Sequence, residues 1–468
     1  MATKEFPLVP EAVEPVKTKY RTICTKIPVP ESVAALKRLR ELEPRSMGGQ
    51  PPVLWHHGQG FTISDRYGNT WLDFSSGVLV TSSGHGRKEI AQAIANMAGQ
   101  GMYHAYCFPT EIRLKLVEEL TTLLPPPLKR IFLLTTGAEA TECCIKLART
   151  WGLKVGPKQK KVIVSFENGF HGRTYGAQLA GGSAGLKSWL GEGDPSFVQV
   201  PFPDGFRQPD QSFSVFEKSL AAKGVKPADV CGVIGETYQG CNACLMPTAY
   251  AQALRAWCDA NKALLMFDEV QAGFGRTGKP FGFMHTGIVP DLAACGKGIS
   301  GGMPLSAELG TEELMNLYGP GEMTSTHSAN PICAAAALAN LKLIKQEKLF
   351  ENAAALAPVM AEGCRRITQA AGGHIGRWDA TGLVGCVQWT KPGTTTPQPE
   401  LAWQMVWRAV KRGVMLFAPV GVGGCAIKLS PPLMVAEDAL REGLSVVEEI
   451  AGQIAAEADK LLAAAGAQ

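Results

Sequence analysis

Asp291-Leu-Ala-Ala-Cys-Gly-Lys-Gly-Ile-Ser-Gly-Gly-Met-Pro304 is the stretch that decides the fold. A short apolar run ends in a loop almost free of side chains, and one lysine, Lys297, stands at the junction. Such a run bounded by glycines predicts a buried strand. Upstream, Met266-Phe-Asp-Glu-Val-Gln-Ala-Gly-Phe-Gly-Arg-Thr-Gly278 places Asp268 at the tip of a second apolar strand. Thr135-Thr-Gly-Ala-Glu-Ala-Thr-Glu142 is a third strand end, and it runs into a helix. An amine, an acid and a small-residue turn therefore each close a strand.

Working outward, strands are predicted at Ile131–Leu134, Val162–Ser165, Val230–Ile234, Leu264–Phe267 and Leu292–Cys295. Helices are predicted at Glu111–Leu124, Glu139–Leu153, Ala249–Asn261 and Pro331–Lys345. Apolar strands interleaved with helices mean an α/β fold with a mostly parallel sheet flanked by helices. Such sheets bind ligands beyond the carboxyl ends of their strands, where all three motifs sit. Residues 86–345 are expected to form this large domain. Residues 346–468 read as a smaller α+β domain, with a helix at Ala353–Ala371, strands near Val384–Trp389 and Ala426–Leu429, and one helix from Ala436 to Ala464. Residues 1–85 are expected to join the small domain. They comprise a Pro-rich segment that wraps a neighbour, a helical patch at Val33–Leu42 and a hairpin turning at Asp65–Asn69.

The chain has 468 residues, more than one core usually serves. Its charge is 19% of residues with a net of +4 and no dense basic block, which gives no reason to expect nucleic acid or a membrane surface. No apolar run approaches the roughly 20 residues needed to span a bilayer. Residues Met1 to Lys26 lack the apolar core of a signal peptide, and Glu5, Glu11 and Glu14 do not suit a transit segment. Thirteen cysteines without framework spacing suggest free thiols and a cytoplasmic setting. Cys241-Asn-Ala-Cys244 is a lone C-x-x-C, and no second pair or spaced histidines complete a zinc site.

Each motif has a chemical reading and a plainer one. Gly137 and Ala138 begin a helix, where free N–H groups and the positive end of the dipole suit a phosphate; a routine turn looks the same. Asp268, withdrawn from water, needs a cationic or N–H partner. A protonated pyridine nitrogen would serve, and so would a helix cap or a buried ion pair. Phe170-His-Gly-Arg-Thr174 could stack an aromatic on a ring and hold an anion through His171 or Arg173. Gly296 to Gly301 formally matches G-x-G-x-x-G, but Gly302 and Pro304 break the helix that a dinucleotide site requires.

Together, TTGAEATE, FHGRT, FDEVQAGFGRTG and GKGISGGMPLSA in this order resemble the class III, or omega, aminotransferases of fold type I, from about Gly60 to Leu433. The resemblance implies pyridoxal 5'-phosphate as cofactor. It implies that Lys297 forms the Schiff base, that Asp268 binds the pyridine nitrogen and that Gly137 and Ala138 hold the phosphate. Thr326 would donate to the phosphate across the interface of a homodimer or a dimer of dimers. Phe170 would stack on one ring face, Val270 would pack the other, Gln271 would lie near the ring hydroxyl, and His171 and Glu236 would stand in the surroundings. The implied reaction is ping-pong transfer of an amino group from an amine or ω-amino acid to a 2-oxo acid.

Three positions depart from the family pattern. Cys241 stands where 2-oxoglutarate users carry an acid. Lys428 replaces the arginine of R-x-x-P-P-L, a point charge in place of a bidentate fork. Val78, in Ser76-Gly-Val-Leu79, stands where dialkylglycine decarboxylases have glutamine. These differences favour pyruvate or a broad acceptor and transamination over decarboxylation. A racemase or epimerase would need the same lysine. Arg173 matches the arginine that clamps the distal carboxylate in 4-aminobutyrate-type enzymes.

Overall fold

The computed structural model describes residues 5–158 and 160–466. They form two compact units: residues 88–351, and the segment up to Arg87 together with Asn352 onward.

The unit of residues 88–351 is built on seven strands: β1 (Arg130–Leu134), β2 (Val162–Phe166), β3 (Phe197–Val200), β4 (Val230–Glu236), β5 (Leu264–Asp268), β6 (Leu292–Cys295) and β7 (Ser306–Gly310). Their order is β1-β7-β6-β5-β4-β2-β3. Only β7 runs antiparallel to its neighbours. β4, β5, β6 and β7 are buried along their whole length. That explains why β4, β5 and β6 read as continuous apolar runs rather than alternating ones. Two strands escape that signal. Phe197–Val200 is only four residues long and follows a loop, and Ser306–Gly310 carries Glu308 in its middle.

The helices of six or more residues that lie wholly within this unit are α1 (Lys88–Gly99), α2 (Glu111–Thr121), α3 (Gly137–Val155), α4 (Tyr175–Ala180), α5 (Ser214–Ala222), α6 (Thr248–Ala260) and α7 (Pro331–Gln346). α3 matters most for the site. It starts at a capping box: the Thr136 hydroxyl accepts the Glu139 N–H at 3.2 Å, and the Glu139 carboxylate accepts the N–H of Thr136 at 3.0 Å and of Thr135 at 2.8 Å. Such a cap contributes about 1 kcal/mol and fixes where the helix begins. Ala140, Cys144, Leu147 and Ala148, spaced three and four apart, bury one face of α3 against the sheet core.

In the other unit, the N-terminal segment, expected to wrap a neighbour, pairs with strands of its own chain. Val16–Lys17 and Thr22–Ile23 pair with each other, and Thr22 pairs with Thr70, within a six-stranded sheet. The expected hairpin is present as Thr62–Ser64 against Thr70–Asp73, and Val414–Met415 joins Thr70–Asp73 in parallel. A second sheet is antiparallel and comprises Ile375–Thr381, Val384–Trp389 and Ala426–Leu429. The single helix expected from Ala436 to Ala464 is two, Glu437–Ala456 and Ala458–Gly466, broken at Glu457. A further amphipathic helix, Pro399–Lys411, escaped the sequence reading. Among the described residues no helix is long and apolar enough to cross a membrane.

Candidate active site

Strand register sets out the floor of the site. Asp268 lies opposite Glu236 on β4 and Ala294 on β6, and Ala294 lies opposite Glu308 on β7. Directly paired residues point to the same face of a sheet. Three buried carboxyl groups therefore share one row, with only the Ala294 methyl between Asp268 and Glu308. Glu308 accepts a hydrogen bond from the Cys144 thiol of α3 at 3.1 Å, and its second oxygen is buried without a partner. Burial pushes the Glu308 pKa well up, with Asp268 acting in the same direction. Sequence reading missed Glu308; its signal was a lone acid inside an otherwise apolar strand.

Eight of the predicted residues line one cavity of about 150 Å3: Gly137, Ala138, Phe170, His171, Asp268, Val270, Gln271 and Lys297. Gly172, which the reading passed over, lines it too. At Gly172 φ is +134°, and a Cβ there would come within 2.7 Å of the Ala138 side chain, so only glycine lets this loop approach the start of α3. Glu236 stands beside the cavity, accepting the Phe170 N–H at 3.1 Å and the Gly240 N–H at 2.8 Å. Burial raises its pKa to about 7.

Asp268 accepts the Val270 N–H at 2.9 Å on one oxygen and hydrogen-bonds His171 Nδ1 at 2.8 Å through the other. The plainer reading of this acid, an interior pair, thus coexists with the chemical one. Burial alone would lower the His171 pKa, but its hydrogen bond to Asp268 and the charges of Asp268 and Glu236 outweigh that and raise it. Its other ring nitrogen, Nε2, is buried with no partner.

Lys297 has φ +41°, a left-handed conformation that costs a non-glycine residue about 1–2 kcal/mol. It opens a short 3-10 turn, Lys297–Ile299, and the continuous helix required by a dinucleotide site does not form. Burial lowers its pKa against the opposing pull of Asp268 and Glu236, so the amine is easier to hold neutral and nucleophilic.

The remaining predicted residues lie outside this cavity. Arg173 is exposed and sits over the Phe170 ring at 5.7 Å. Thr326 is exposed on the loop before α7. Val78 and Lys428 belong to the other unit: Val78 is 44% exposed, and Lys428 is buried with its amine 6.0 Å from the Phe417 ring. Cys241 is half-buried in the loop joining the paired segments Tyr238–Gln239 and Cys244–Leu245, and all thirteen cysteines are unbridged.

These residues fit pyridoxal phosphate. The first N–H groups of α3 have no partners within the helix and suit a phosphate. A buried amine of lowered pKa suits an aldehyde. A buried carboxylate and an unpartnered imidazole nitrogen are polar groups awaiting a polar ligand.

Comparison with known proteins agrees. The family model described as "Aminotransferase class-III" matches residues 46–451. A 4-aminobutyrate aminotransferase of Mycobacterium leprae is 32% identical over 450 residues, covering 92% of this chain and 98% of that one. A 2-aminoadipate transaminase of Pseudomonas putida is 33% identical over 420 residues, covering 86% and 96% respectively. Among solved structures, a PLP-bound amine transaminase from an uncultivated Pseudomonas species superposes with TM-score 0.78 at 26% identity, covering 86% of this chain and 94% of that chain. The chain belongs to the class-III aminotransferase family, with the fold-type I architecture and the pyridoxal phosphate cofactor of that family.

Proposed function

We propose that this aminotransferase takes an amino group from an ω-amino acid or a related carboxylated amine and delivers it to pyruvate or another small 2-oxo acid in ping-pong alternation. The observation that carries this reading is the gathering of Lys297, Asp268 and the start of α3 around one cavity. The activities for which two relatives are named, on 4-aminobutyrate and on 2-aminoadipate, support a donor with a carboxylate distant from the amine or a second carboxylate.

Pyridoxal phosphate supplies, when bound, an aldehyde to carry the amino group and a ring to draw electrons from the substrate carbon. The chain supplies the rest. Lys297 Nζ would hold the cofactor covalently and, once freed by the donor amine, would move a proton from the substrate carbon to the cofactor. Asp268 holds the ring nitrogen in its protonated form, and His171 fixes the orientation of that carboxylate. Gly137 and Ala138 give their N–H groups to the phosphate. Phe170 and Val270 confine the ring between them, and Gln271 and Glu236 complete the polar edge. Arg173 pairs with the donor's distal carboxylate. The half-buried Cys241 stands where 2-oxoglutarate users carry an acid, which supports pyruvate or a broad acceptor over strict 2-oxoglutarate use.

The donor assignment is tested with Arg173→Ala. KM for 4-aminobutyrate or 5-aminovalerate should rise about tenfold or more, as expected for a lost charge-assisted contact, with little change for an uncharged amine. Equal effects on both donors would remove Arg173 from the substrate site.

We further propose that Thr326 serves the cofactor of a second copy. Around its loop, Tyr103 is 61% exposed and Phe108 74% exposed. Asn330 donates to the Tyr103 carbonyl at 2.7 Å, and Tyr106 donates to Thr324 at 3.1 Å. Exposed aromatics held in place beside a phosphate-binding loop suit a homodimer face. Sedimentation of the holo protein should give at least twice the chain mass, and Phe108→Lys should lower both association and cofactor retention. A monomer of full activity would contradict this assembly.

A further inference from the structure

Cys241 and Cys244 belong to a hairpin that borders the cavity. Tyr238 pairs with Leu245 and Gln239 with Cys244, and residues 240–243 form the loop between them. Directly paired residues of an antiparallel hairpin project to the same side, with Cβ atoms about 5 Å apart. The Cys244 side chain therefore starts beside that of Gln239. Cys241, in the loop, brings its Sγ to 3.6 Å from Gln239 Oε1. Both thiols flank one buried amide.

That amide ties the hairpin to the site. Gln239 Nε2 donates to the Glu167 carbonyl at 2.8 Å, three residues before Phe170, which lines the cavity. The next residue, Gly240, donates its N–H to Glu236 Oε1 at 2.8 Å, and Glu236 Oε2 accepts the Phe170 N–H at 3.1 Å. A Cβ on Gly240 would come within 2.4 Å of Gln271 Nε2 and 2.6 Å of Glu236 Oε1, so the loop backbone abuts both side chains. Tyr238 completes the set, donating its hydroxyl to Gln271 Oε1 at 3.3 Å. The hairpin thus steadies Phe170, Glu236 and Gln271 together. Its two cysteines differ in access: Cys241 is half-buried and Cys244 is buried. A reachable thiol with a second thiol close by to resolve it is the arrangement of reversible thiol oxidation.

We propose that Cys241 and Cys244 are a modification site, forming a reversible intramolecular disulfide that loosens the hairpin's grip on Phe170 and Glu236 and lowers transamination. With glutathione disulfide as oxidant, the Cys241 thiolate attacks one of its sulfurs and releases a first glutathione thiolate. The Cys244 thiolate then attacks the Cys241 sulfur of that mixed disulfide and releases the second. Two electrons pass from the cysteine pair to glutathione disulfide, and the two thiol protons go to the released glutathiones. For the bond to close, the Gln239 amide that both side chains flank must withdraw, and its bond to Glu167 is lost with it. A bridge that demands such a backbone and side-chain shift is readily reduced again.

The test treats holoenzyme with glutathione disulfide, alkylates the remaining thiols, and reads peptide masses beside transamination before and after dithiothreitol. The peptide carrying both cysteines should be lighter by two hydrogens, unalkylated and free of glutathione. The rate should fall about tenfold, the scale of a small misplacement at a reacting centre, in step with the bridged fraction, and dithiothreitol should restore it. Cys244→Ser should keep the parent's basal rate and halt at the mixed disulfide, with one glutathione on Cys241. Adducts confined to the exposed Cys24 and Cys107 would overturn the proposal, as would glutathione left on Cys241 in the parent. A bridge formed without loss of rate, or a loss that follows the Cys24 and Cys107 adducts instead, would overturn the link to the cavity. If Cys244→Ser does not fold, the parent's peptide masses and rates decide alone.

Discussion

Lys297→Ala is expected to lower transamination by about four orders of magnitude or more, the upper end of what a positioned proton-transfer group contributes. Two functions are lost together, the covalent anchor and the shuttle of the substrate proton. The variant should still fold and retain some cofactor through the start of α3 and Asp268. Without cofactor it should be more stable than the parent near neutral pH, because alanine removes a buried amine and leaves the backbone as it was. The sign follows from the lowered pKa of Lys297. Between that lowered value and the ordinary 10.5, the unfolded chain binds a proton that the folded chain does not, so parent stability rises with pH across the window. The advantage of the alanine variant should therefore shrink as pH approaches 10.5. Heat denaturation of both apoproteins at neutral and alkaline pH checks this. An advantage that grows with pH, or turnover near the parent's, would refute the role of Lys297.

Asp268→Asn is the second large effect, a fall in kcat of about three orders of magnitude, comparable to the loss of a preorganised electrostatic group at a reacting centre. The substitution preserves shape. The side-chain oxygen can still accept the Val270 N–H, while the anion facing the cavity is gone and His171 loses its charged partner. A neutral amide cannot keep a ring nitrogen protonated, so electron withdrawal weakens although cofactor binding survives in part. The cofactor absorption band should shift with it. A near-normal rate with an unshifted spectrum would mean that Asp268 does not face the ring nitrogen.

Much of the large sheet is legible because its strands are buried on both faces and therefore written as plain apolar runs. Leu264–Asp268 and Leu292–Cys295 are instances, and each ends where chemistry begins. Ser306–Gly310 hides because a buried acid, Glu308, interrupts its apolar pattern. The small unit is harder to read. Val414–Met415 pairs with Thr70–Asp73 across more than three hundred residues, and no local period records such a pairing. Within the site, residue type announced Lys297 and Asp268, but not the bond between Asp268 and His171, which depends on where a loop after β2 returns. The left-handed turn at residues 76–79 has only Gly77 to betray it; the other three positive φ angles fall on Ser76, Val78 and Leu79, residue types that give no such signal.

The central claim is that Lys297 alone carries the cofactor. Borohydride reduction of the yellow holo protein, followed by digestion and peptide mass spectrometry, addresses it directly. The expected result is one modified peptide, spanning residues 291–304, with the added mass on Lys297. A reduced adduct on any other lysine, or none in protein with bound cofactor, would contradict the account.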